Sequence, residues 1–189
     1  ISGNIDFTGF RRPSKTFSSV ATFQKLSVEE KVIQLQKRFE ELGMTLSLAE
    51  SCTGGQISSA FTARPGISKI FLGSVISYHR RLKTEILNVP SSTIENVGEV
   101  SLPVALAMAR GVKSLTRSPW GLSVTGIAGP GGGSADKPVG MVCFAVVGPG
   151  FEEARCTQFA ASDRQKIQFN SVEFALSFLW DSTHYKETI

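Results

Sequence analysis

The apolar positions of this chain switch repeatedly between a helical period and a strand-like one. Val32, Leu35, Phe39 and Leu42 recur at helical spacing. Ser27 with Glu30 three residues later has the form of a capping box, and Gly43 is a helix stop. Met44 to Ala49 is extended and runs into a small-residue turn, Glu50–Gly55. A helical pattern across 55–63 follows and ends before Pro65-Gly66. Residues 70–78 read as a strand, and 80–87 as a short helix closed by Pro90. Ser101-Leu102-Pro103 opens a helix that runs to Leu115, with Pro at an accepted early position. Leu122 to Thr125 is a short buried strand, and Gly126–Ser134 is a glycine-rich loop. Val139–Val147 and Ala154–Phe159 pair as a hairpin across Gly148-Pro149-Gly150. The last helix, 163–180, turns Ile167, Val172, Leu176 and Leu179 inward.

Helices alternating with strands predict an α/β domain of three layers, helices on both faces of a mixed, mostly parallel sheet. The domain spans 26–182, with no internal repeat and a polar tail at 183–189. Residues 1–25 lack periodicity and read as an arm. It is either a disordered leader or a partner-bound segment, since Phe7, Phe10, Phe17 and Phe23 are many aromatics for a free tail.

Composition narrows the function classes. At 189 residues, 41% hydrophobic and 19% charged, one soluble domain with a sizeable core is expected. The net charge is +4. Basic residues gather only at Arg11-Arg12 and Arg80-Arg81-Leu82-Lys83, which argues against a nucleic-acid face. Three cysteines, Cys52, Cys143 and Cys156, have neither disulfide-framework density nor zinc spacing, so reduced thiols in a cytoplasmic protein are expected. No apolar run reaches the ~20 residues of a membrane span, and no signal-peptide core is seen.

Loops at the carboxyl ends of strands bind ligands in such folds. Three qualify: Glu50–Gly55, Tyr78–Lys83 and Thr125–Ser134. In the first, a Ser in a sharp bend meets the N–H groups of a helix start, which can collect a phosphate, a carboxylate or an oxyanion. Ser51 is either a nucleophile there or a helix cap, and Cys52 competes as nucleophile. His79 and His184 supply a Ser-His-Asp triad poorly. The alternative base is a lysine held neutral, and Lys83 is the candidate. Five residues of continuous helix would turn Tyr78 and Lys83 apart, whereas a break between them lets both face one site, with Tyr78 as relay. The glycine loop is a phosphate cradle or a lid; it fits neither the P-loop nor the dinucleotide fingerprint.

Ala-Glu-Ser-Cys-Thr-Gly-Gly (49–55), Ser-Tyr-x4-Lys (77–83), Val-Thr-Gly-Ile-Ala-Gly-Pro (124–130), Lys-Pro-Val-Gly (137–140) and Asp-Arg (163–164) occur in that order. Together they resemble the C-terminal domain family of the competence/damage-inducible protein CinA, over residues 27 to 180. The family includes stand-alone PncC-type nicotinamide mononucleotide amidohydrolases. The resemblance implies hydrolysis of nicotinamide mononucleotide to nicotinate mononucleotide and ammonia, in pyridine nucleotide salvage, without metal or other cofactor. It implies Ser51 as nucleophile, Lys83 as base and Tyr78 beside them. Cys52 and Thr53 would supply backbone oxyanion donors. Thr125, Arg164, Gly54, Gly55, Gly126, Gly129 and Lys137 would bind substrate. A homo-oligomer is the family habit. A non-catalytic nucleotide-binding module, or a competence-related partner protein, is the competing reading.

This chain departs from the family pattern in several places. Arg80 replaces an Asn, so that Arg80 and Arg81 would crowd Lys83. Gly131 replaces an Asp, Ser162 a Gly and Gln168 an Arg. These changes bear on substrate choice more than on the reaction.

Overall fold

The Ser27 and Glu30 side chains each accept the other's backbone N–H, the capping box read from the sequence, and Gly43 closes the helix at φ 62°. This helix, α1 (Val28–Leu42), is the first full element of a computed structural model that describes residues 22–160 and 163–185. Then follow β1 (Leu46–Glu50), α2 (Gln56–Thr62), β2 (Phe71–Ile76) and α3 (Arg80–Glu85). The chain continues through α4 (Ser91–Val97), α5 (Leu102–Thr116), β3 (Trp120–Gly126), β4 (Met141–Gly148), β5 (Phe151–Gln158) and α6 (Arg164–Thr183).

The strands form one sheet in the order β2-β1-β3-β4-β5. β1 pairs parallel with both β2 and β3, whereas β3–β4 and β4–β5 are antiparallel. Only β4 is reversed, so the sheet is mixed with four strands running one way. Leu46 and Leu48 of β1, Leu122 and Val124 of β3, and Val142, Phe144 and Val146 of β4 pack into one cluster with α1, α2 and α6. The alternate residues face α5, where they are small: Ala49, Cys143 and Ala145. Ser123 on that face donates its hydroxyl to the Ala105 carbonyl at 2.6 Å. Both faces of β1, β3 and β4 are therefore buried, and small side chains let α5 lie close. This is the three-layer α/β domain that the sequence predicts.

Three expectations change. Cys143 and Cys156 are joined as a disulfide, not free thiols. The register of the β4–β5 hairpin sets them directly opposite, with Cα atoms 4.0 Å apart. Phe23 belongs to the domain rather than to an arm: it is buried and stacks on Trp180 at 4.4 Å between centroids. Phe7, Phe10 and Phe17 lie outside the described residues, as do 186–189 of the tail. Helix α4, largely polar with only Ile94 buried, carries no periodic signal and was not predicted. Among the described residues no helix is long and apolar enough to cross a membrane.

Phe144 is fully buried against the Phe174 ring, centroids 4.6 Å apart. Truncation there leaves a cavity between the sheet and α6. Phe144→Ala is expected to destabilise the fold by about 3–5 kcal/mol. Urea unfolding should show a lower midpoint with an unchanged m-value.

Candidate active site

β1, β2 and β3 end side by side, and each delivers one wall of a site at its carboxyl end. The chain leaves β1 through Glu50, whose side chain is fully buried. Its carboxylate accepts from Thr53 Oγ1 (2.7 Å), from the N–H groups of Gly55 (3.0 Å), Ile57 (3.2 Å) and Ser58 (2.8 Å), and from Ser58 Oγ. The turn needs two left-handed residues in succession, supplied by Gly54 (φ 60°) and Gly55 (φ 98°). A Cβ on Gly55 would also meet Ile76 at 2.9 Å.

This corrects the expectation of an open anion site at the start of α2. Glu50 already fills it. Gly54 donates to the Ser51 carbonyl, so Gly54 and Gly55 shape the turn and do not present N–H groups to a ligand. The N–H groups of Cys52 and Thr53 differ: among the described residues they donate to no oxygen. Gln168 pins the turn from α6, donating its amide to the Cys52 carbonyl at 2.8 Å.

Ser51 emerges from this turn almost buried, with Lys83 behind it, 1% exposed. Lys83 Nζ donates to Ser51 Oγ (3.2 Å), to the Ser77 carbonyl (3.0 Å) and to Glu99 Oε2 (2.9 Å). A lysine ammonium has three donors, and all three are used. The break foreseen between Tyr78 and Lys83 is present. β2 ends at Ile76, and His79 caps α3 by accepting the Arg81 N–H. Lys83 thereby points inward, while Arg80 and Arg81 turn outward to Glu95 and Glu85. The expected crowding of Lys83 by two cations does not occur; its charged neighbour is the Glu99 carboxylate.

Tyr78 is 58% exposed, and its hydroxyl accepts from Arg164 at 2.9 Å. It makes no hydrogen bond to Ser51 or Lys83, so the relay role expected of it has no contact behind it. Arg164, at the start of α6, also donates to the Gly129 carbonyl at 2.8 Å, and so ties the glycine loop to Tyr78. Thr125 Oγ1 donates to the Glu99 backbone carbonyl at 3.0 Å. Lys137 is engaged with the Val97 carbonyl at the end of α4. Gly126 is closely covered: a Cβ there would meet Val142 at 2.7 Å and the Cys52 sulfur at 3.0 Å. Ser162 lies outside the described residues. Among the described residues no group of three or more His, Cys, Asp or Glu is arranged to hold a metal ion.

Cys52 is the competing nucleophile, and its surroundings oppose that role. Burial pushes its thiol up to about 12, because the thiolate cannot be solvated; Glu50 adds to this, while the Cys52 N–H, Arg164 and Lys83 act the other way.

A buried Ser–Lys pair thus lies over the carboxyl ends of three parallel strands of an α/β domain. The sequence profile described as the CinA C-terminal domain matches residues 27–183, and the chain belongs to that family. A CinA-like protein of Synechococcus sp. strain RCC307 is 57% identical over 105 residues, covering 56% of this chain and 25% of that protein. A CinA-like protein of Desulforapulum autotrophicum is 44% identical over 147 residues, covering 77% and 34%. The chain thus spans a quarter to a third of the length of these relatives. Among solved structures, the competence/damage-inducible protein CihA of Agrobacterium tumefaciens superposes with a TM-score of 0.81 at 35% identity, covering 83% of this chain and 96% of that one. A CinA superfamily protein of Escherichia coli gives 0.79 at 30% identity, covering 82% and 89%.

At pH 8 a thiol titrating at about 12 is roughly one part in ten thousand thiolate. Iodoacetamide is therefore expected to leave Cys52 unmodified in the folded protein and to label it after denaturation. Peptide mass spectrometry of both states checks this.

Proposed function

We propose that this domain is an amidohydrolase that converts nicotinamide mononucleotide and water to nicotinate mononucleotide and ammonia. The observation that carries the reading is the 3.2 Å contact between Ser51 Oγ and Lys83 Nζ, both buried, at the carboxyl edge of the sheet. In its neutral form Lys83 takes the Ser51 hydroxyl proton as Oγ attacks the amide carbon. The N–H groups of Cys52 and Thr53 are the donors left open at this turn, and the tetrahedral oxyanion sits against them. Lys83 then protonates the departing nitrogen, and ammonia leaves. Water cleaves the acyl-enzyme by the same transfers in reverse.

Arg164 is the substrate anchor in this scheme. Its guanidinium reaches the glycine loop and Tyr78, and a planar fork of donors suits phosphate oxygens. Tyr78 takes the role of a wall for the substrate next to Arg164, not of a relay. Lys137 acts on the loop through Val97. The family membership supports the reading, as does the presence of Ser51, Lys83 and Tyr78 together. A nucleotide-binding module without turnover would have no use for a lysine buried against a serine hydroxyl.

Purified protein given nicotinamide mononucleotide should release ammonia. Ser51→Ala should release none, and Lys83→Met should lower kcat by about a thousandfold. Arg164→Ala should raise KM tenfold or more while kcat falls less, roughly the worth of a charged hydrogen bond. Undiminished release by Ser51→Ala would refute Ser51 as nucleophile. Tight nucleotide binding with no ammonia from the wild type would favour the binding module.

A further inference from the structure

Of the three acceptors around Lys83 Nζ, Glu99 is by far the most open to water. Ser51 is 7% exposed and Ser77 is fully buried, whereas the Glu99 side chain is 39% exposed. Glu99 therefore bridges the buried lysine, 2.9 Å away, to solvent. Its position is fixed from behind. Thr125, 1% exposed at the end of β3, donates its hydroxyl to the Glu99 carbonyl at 3.0 Å. Ser101 holds the other side of the same loop through the Gly98 carbonyl at 3.0 Å. The result is one chain of contacts, Ser51–Lys83–Glu99–Thr125, that links the β1 turn to the end of β3.

We propose that Glu99 is the proton-relay partner of Lys83, and that Thr125 is a positioning residue for Glu99 rather than a substrate contact. The inference rests on Ser51 acting as the nucleophile of the amidohydrolase reading, but not on the identity of the amide. Starting from the ammonium–carboxylate pair, Lys83 gives one N–H proton to Glu99, leaving a neutral amine and a carboxylic acid. The amine lone pair takes the Ser51 hydroxyl proton as Oγ bonds to the acyl carbon and the carbonyl electron pair moves onto oxygen. When the C–N bond breaks, Lys83 gives its proton to the leaving nitrogen and the carbonyl re-forms. Glu99 then returns its proton to Lys83. No net charge is created, and Glu99 stays open to exchange with water throughout.

The test is the rate at which a fluorophosphonate labels Ser51, read by intact mass, since this reports serine activation without the nucleotide. Wild type should label. Glu99→Ala and Glu99→Gln should label at least about tenfold more slowly. Added formate should speed Glu99→Ala severalfold and leave Glu99→Gln unchanged, because only the alanine variant leaves room for a small carboxylate. Thr125→Val should also slow labelling. Glu99→Ala labelled within twofold of wild type would overturn the proposal, as would a slow Glu99→Ala that formate does not restore. An unlabelled wild type would overturn it as well, and Thr125→Val labelled at the wild-type rate would return Thr125 to the substrate. Wild-type labelling with this pattern but no ammonia from nicotinamide mononucleotide would remove the substrate assignment and leave the relay standing.

Discussion

Glu50 is a carboxylate with no cation against it among the described residues, buried completely at the end of β1. Removing such a group from water costs several kcal/mol, and it persists only where hydrogen bonds replace its hydration. Here five donors do so, three from backbone N–H groups and two from hydroxyls, all within eight residues along the chain. Those donors belong to the turn and the first residues of α2. The carboxylate thereby dictates the path of the chain from β1 into the helix. Ser51 sits on that path, so its placement is set by an internal anion rather than by a ligand. The Cys52 and Thr53 N–H groups precede the run of N–H donors, from Gly55 to Ser58, that Glu50 gathers.

The second constraint is Lys83. A buried ammonium must find acceptors, and Lys83 finds them on three different parts of the chain: the β1 turn, the end of β2, and the loop between α4 and α5. One side chain thus fastens three segments that the sheet order brings together. α3 has only six residues, and its use is to turn Lys83 inward while Arg80 and Arg81 point away. The His79 cap starts a helix four residues after the strand end, and Lys83 Nζ reaches Ser51 Oγ from it.

The sequence made much of this legible. The capping box at Ser27, the glycine-led turn after Glu50, and the strand–helix break between Tyr78 and Lys83 are local signals, and each appears in the fold where periodicity and caps placed it. What the sequence hid is non-local. Glu99 meets Lys83 because α4 and its following loop fold back, and α4 is too short and polar to announce itself. The Cys143–Cys156 bond depends on hairpin register, which spacing alone does not supply. Glu50 was visible as part of a motif, but its role follows from where its carboxylate points. Tyr78 was read as the last residue of the strand, but it lies two residues beyond the end of β2, and its hydroxyl is claimed by Arg164.

The departures of this chain from the family pattern gain meaning from these contacts. Arg80, standing where the family has Asn, bonds Glu95 on α4 and so stays on the outer surface of α3 and α4. Gln168, standing where an Arg is often found, donates to the Cys52 carbonyl and accepts from Gln56. It therefore braces the turn that carries Ser51 and adds no cation there. Of the basic residues considered for the substrate phosphate, Arg80 is diverted to Glu95 and Lys137 to the Val97 carbonyl. Arg164 lies between the glycine loop and the Tyr78 hydroxyl, donating to the Gly129 carbonyl and to the phenol, so it ties the start of α6 to both.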